Sequence, residues 1–78
     1  MVPDDPDAWL TRKATAAALN EKGYPVAAGT LATKAVRGGG PPYHRFGPRV
    51  LYRWGDALQW AQSRLSAPIR STSEADAL

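Results

Sequence analysis

The sequence predicts a small α+β domain in the order helix, helix, β-hairpin, helix. Three observations point there. Two alanine-rich segments, "TRKATAAALNEKG" and "AGTLATKAVRGGG", each end on glycine, the usual residue just past a helix. Two β-favouring runs, "YHRF" and "VLYR", flank the short turn "GPR". A last segment, "WGDALQWAQSRL", returns to helical spacing before Ala67-Pro68.

Thr11 is suited to cap the first helix, because its hydroxyl can accept from an amide of the first turn. Ala16 and Leu19 share one face, and Gly23 marks the stop. A turn around Pro25 leads to a second helix from about residue 28 to 37. There Leu31 and Ala35 face inward, and Thr30, Thr33, Lys34 and Arg37 form a polar, basic outer side. Gly29 in its first turn weakens this helix by about 1 kcal/mol relative to Ala.

Gly38, Gly39 and Gly40 stop the helix and permit positive φ, and Pro41 and Pro42 then force extended backbone. This placement, after a helix and before a hairpin, excludes a phosphate loop, which needs a strand before it and a helix after it. In the third helix Gly55 is read as the N-cap and Asp56 as the first-turn acid that suits the helix dipole. Ala57, Leu58, Trp60, Ala61 and Leu65 form its apolar stripe. Phe46, Tyr52 and Trp60 are expected in the core, Trp9 and Trp54 half-buried, and Tyr43 on a partner surface. The organisation read from composition is an acidic, Pro-rich lead-in over 1–9, a domain over 10–67, and a polar, disordered tail over 68–78.

The charge is unevenly spread. All ten Lys/Arg lie between Leu10 and Arg70 with only two acids, Glu21 and Asp56, an excess of eight positive charges in a 78-residue chain whose net charge is +3. Such a body suits a polyanion, since cations that neutralise phosphates release condensed counterions. Arg45 and Arg49 flank the hairpin turn, and Arg53 ends the second strand. A polar-basic helix followed by a basic hairpin can dock with the helix in a major groove and the hairpin in the neighbouring minor groove.

Catalysis and metal binding find no constellation. The chain has one histidine, His44, no cysteine, and no carboxylate pair within the basic body, so neither a zinc site nor an oriented general base can be assembled. No cofactor, no metal and no enzymatic activity are expected. The longest apolar run falls well short of the ~20 residues that span a membrane, and the acidic start is unlike a signal peptide. These features predict a cytoplasmic protein without a membrane partner.

The segments "WLTRKATAAAL", "TLATKAVRGGGPPYHRFGPRVLYRW" and "GDALQWA" resemble the small winged helix-turn-helix proteins of the excisionase and AlpA-like group, related to the DNA-binding domain of MerR-type regulators. The resemblance spans roughly residues 9 to 65, and "GGGPPYHRFGPRVLYR" is its most specific piece. It implies a recognition helix bearing Thr30, Thr33, Lys34 and Arg37. The wing would place His44, Arg45 and Arg49 near the minor groove, and Arg12 and Lys13 would meet backbone phosphates. It further implies double-stranded DNA as ligand, an integrase as protein partner, and head-to-tail self-association on DNA. The role would be a recombination directionality factor of a mobile genetic element, or alternatively a small transcriptional regulator. A protein-interaction module for an acidic partner is the reading from another class.

Two departures from the group's pattern bear on readout. The turn "NEKGYPVAAG" is longer and lacks a Ser-Pro cap, and Gly29 and Ala32 stand where bulkier or polar types are common. More phosphate and shape readout than base reading is therefore expected.

Overall fold

The computed structural model describes residues 1–70; residues 71–78, most of the expected tail, lie outside the described residues. The chain forms β1 (Trp9–Thr11), α1 (Arg12–Glu21), α2 (Ala28–Arg37), β2 (His44–Phe46), β3 (Arg49–Arg53) and α3 (Trp54–Ser63). It is a small α+β fold with three helices and one three-stranded antiparallel sheet, in the spatial order β1-β3-β2.

Local chemistry sets the ends of α1. The Thr11 hydroxyl accepts from the Ala14 amide at 3.1 Å, as the sequence predicts. At the other end Gly23 has φ +97°. The Tyr24 amide donates to the Leu19 carbonyl at 2.8 Å and the Gly23 amide to that of Asn20 at 3.0 Å, the paired bonds of a Schellman motif. The Asn20 amide group then donates to both Ala16 and Val26 carbonyls at 2.7 Å, fastening the link into α2. Buried Thr15 is satisfied by donating to the Thr11 carbonyl at 2.8 Å.

The first strand was not expected. Leu10 pairs with Tyr52 and Thr11 with Leu51, so Trp9 belongs to the sheet instead of a loose lead-in. The lead-in also caps α3, which has no side-chain N-cap bond. The Trp54 amide donates to the Ala8 carbonyl at 2.9 Å, and the Gly55 amide to that of Pro6 at 2.8 Å, serving two of the amides a helix start leaves open. Gly55 is thus inside the helix and not its N-cap. A Cβ there would meet the Pro6 carbonyl oxygen at 3.1 Å, so glycine suits the close approach. The helix also ends at Ser63, earlier than the Ala67-Pro68 stop, which leaves Leu65 66% exposed.

The core lies between α1, α3 and the α1-facing side of the sheet. Ala18, Leu19, Trp54, Ala57 and Ala61 form its centre, with Leu10, Leu58 and Trp60 packed partly against it. Leu31 of α2 and Tyr52 of β3 are fully buried. Small alanines on both helices let the backbones approach, and the two large rings fill the volume the alanines leave. Trp54 is buried more deeply than expected, at 3% exposure. Trp60 is only partly buried, and Trp9 is exposed. Phe46, expected in the core, is 71% exposed. The register explains it: Phe46 pairs with Arg49 beside the turn, beyond the reach of the helices.

Candidate nucleic-acid interface

Two basic surfaces are built by α2 and by the β2–β3 hairpin. On α2, Thr30, Thr33 and Arg37 are exposed and Lys34 is half-buried. Leu31 turns the opposite side of the helix into the core. Ala27, Gly29, Thr30, Thr33 and Lys34 line one shallow depression. The Thr33 hydroxyl donates to the Gly29 carbonyl at 3.1 Å, so its oxygen remains open to a donor. Arg37 follows one turn later on the same side.

The join from α2 to the hairpin is held tightly. Gly38 and Gly39 have φ of +91° and +89°, a region that side-chain-bearing residues avoid. A Cβ on Gly40 would lie 2.9 Å from the Lys34 Cβ, so the chain passes close over the last turn of α2. The Gly39 carbonyl accepts from the Trp60 indole N–H at 2.8 Å and also from the Arg64 guanidinium. Arg64 in turn lies over the Trp60 ring, 5.7 Å from its centroid. The third helix thus anchors the loop that carries the hairpin, a role for Trp60 that periodicity alone does not reveal.

In the hairpin, Arg45 pairs with Val50, Phe46 with Arg49, and His44 with Leu51. Directly paired residues share a face, and successive residues alternate. His44, Phe46, Arg49 and Leu51 therefore lie on the outer face with Trp9, and Arg45 lies on the face that carries Tyr52. The expected wing set is divided between the two sides of the ribbon, so Arg45 and Arg49 flank its tip. The Trp9 and His44 rings meet edge to face at 4.9 Å and brace β2 against β1 across the sheet.

The remaining cations separate into anchored and unpartnered. Arg12 is half-buried; its Nε donates to the Tyr52 hydroxyl at 3.1 Å and its guanidinium lies 5.9 Å from that ring's centroid. Lys13 beside it is exposed. Arg53 bonds Asp7 and, at 3.2 Å, Asp56. The Asp7 hydrogen bond, with the charge of both carboxylates, holds the Arg53 guanidinium above its ordinary pKa. Arg53 thereby ties the lead-in to the start of α3. Among the described residues no acid pairs with Lys34, Arg37, Arg45 or Arg49. No Asp or Glu occurs between Glu21 and Asp56.

No family model matches the chain, and no curated protein or solved structure matches it. Among the described residues no helix is long and apolar enough to cross a membrane.

Proposed function

We propose that this protein binds double-stranded DNA as a winged helix-turn-helix module. In this reading α2 enters the major groove with Thr30, Thr33, Lys34 and Arg37. The hairpin is the wing, with Arg45 and Arg49 at the minor groove or its phosphates and His44 behind them. Lys13 meets a backbone phosphate, and Arg12 is a fixed charge beside it. The carrying observation is the unneutralised basic surface of α2 and the hairpin tip, within a segment that contains no acid between residues 21 and 56.

The biological role follows from the resemblance in the sequence: a recombination directionality factor that binds and bends attachment-site DNA for an integrase. A domain this small offers limited contact with DNA. Head-to-tail association of several copies on adjacent sites would supply the missing affinity.

The test is a mobility-shift titration on the protein's own upstream DNA and a neighbouring integrase attachment site. The double variant Arg45→Ala, Arg49→Ala is compared with wild type, its fold checked by circular dichroism. Wild type should shift the duplex in a strongly salt-dependent manner. The variant should lose at least about ten-fold in affinity and lower the slope of log affinity against log salt by about two. Equal binding by both proteins, or binding insensitive to salt, would refute the reading.

A further inference from the structure

We infer that Phe46 is an apolar wedge: the hairpin tip inserts this ring between two base pairs of the bound duplex, unstacks that step and bends the DNA. The inference rests on the duplex-binding reading above and assigns to one residue the distortion that reading requires.

Position carries the argument. Phe46 is the last residue of β2, directly before the turn, and its side chain is 71% exposed. Gly47 has φ +61°, and Pro48 holds φ near about −65°, the signs of a tight type II′ turn. A two-residue turn makes the tip narrow. Its proline and the Phe46–Arg49 pairing make it stiff, as a side chain must be if it is to transmit force to a base stack. Behind the tip, the Trp9–His44 contact fixes the strand to the rest of the sheet.

The surroundings identify the occupant. Arg49 pairs directly with Phe46 on the outer face, Arg45 precedes it on the other face of the ribbon, and no acid lies anywhere in the hairpin. An exposed ring at a tip that carries a guanidinium on each face of the ribbon, and no acid, matches duplex DNA, where phosphates line both rims of the groove and base faces lie between them. Minor-groove proteins use phenylalanine in this manner, repaying the unstacking by wrapping the bent duplex around more protein. A protein ligand would have to bring acids of its own to meet Arg45 and Arg49, whereas a duplex presents a phosphate charge at every step along the groove. Beside Phe46, an open concavity of about 420 Å³ is lined by Trp9, His44, Arg45, Phe46 and Leu51. The exposure of the ring shows that it is not packed into the fold.

The experiment uses a 30-base-pair duplex, a length of about three helical turns, recovered by wild-type protein from a random-sequence pool. Fluorescent 2-aminopurine is placed at each pyrimidine–purine step in turn, where unstacking is easiest, and dyes at the two ends report bending. Wild type should brighten 2-aminopurine at one step and shorten the end-to-end distance. Phe46→Ala, which removes an exposed ring and keeps the fold, should bind about ten-fold more weakly, with no brightening and a smaller bend. Phe46→Leu should restore part of both signals. A saturated wild-type complex with no brightening, or Phe46→Ala with unchanged brightening and bend, overturns the wedge and leaves duplex binding standing. In that event the aromatic face is left to a protein ligand. Recovery of no salt-sensitive duplex overturns both readings together.

Discussion

The two ends of the β2–β3 hairpin use the same residue types for opposite purposes. At the base, Tyr52 is fully buried under the Arg12 guanidinium, Trp54 is 3% exposed, and Arg53 is held between Asp7 and Asp56. At the tip, Phe46 is 71% exposed, and Arg45 and Arg49 have no acidic partner among the described residues. An aromatic beside an arginine is thus no sign of either core or interface. What separates the two ends is the reach of the helices: α1 and α3 cover the base and end short of the tip. The base is packed into the core, and the tip stands clear of it.

The comparison can be broken most forcefully at the base. Tyr52→Ala removes the largest fully buried side chain and the acceptor of the Arg12 bond. It should cost about 3–5 kcal/mol, close to the whole stability of a domain this small, about 5 kcal/mol. A thermal melt followed by circular dichroism should show little or no folded protein at room temperature. A cooperative transition near the wild-type midpoint would mean that the base is not the stabilising end.

Between base and tip stands the glycine-rich join. Gly40→Ala would place a Cβ 2.9 Å from the Lys34 Cβ, against the last turn of α2. Either the loop or the helix end must shift, at a cost of about 1–3 kcal/mol. A fall in melting midpoint on the order of 10 °C is expected. An unchanged midpoint would show that the hairpin is not held rigidly against α2.

The smallest effect sharpens the contrast between the arginines. Asp7→Asn removes one of the two carboxylates that neutralise Arg53. Melting should move little, since exposed ion pairs contribute weakly. Duplex binding should tighten within about three-fold, with a slightly steeper salt slope, as the surface around Arg53 loses one negative charge. Weakened binding would instead assign Asp7 to the interface itself.

Much of the secondary structure was legible in the chain because its signals are local. The Thr11 cap, the Gly23 stop, the span of α2, the triple-glycine brake and the hairpin about Gly47 each depend on residues a few positions apart. The cations of the proposed site were legible in the same way, through the absence of acids between residues 21 and 56. Other features were not. The strand at Trp9–Thr11 is three residues long and exists only because β3 lies beside it. Gly55 has the local look of a cap, but the partners of the first α3 amides are the distant carbonyls of Ala8 and Pro6.

From the sequence alone, then, come the fold class, the order of helices and hairpin, and the basic character of the middle of the chain. Capping, φ preference and charge act over a single turn or less, so they survive being read in one dimension. Tertiary structure decided which aromatics are buried and which arginines are paired with acids. Tyr52 is covered because Leu10 and Arg12 reach it from the other end of the chain, and Arg53 is neutralised by Asp7, 46 residues away. Burial and ion pairing depend on neighbours in space, and for this protein those neighbours are brought together by a short strand and a lead-in that carry almost no signal of their own.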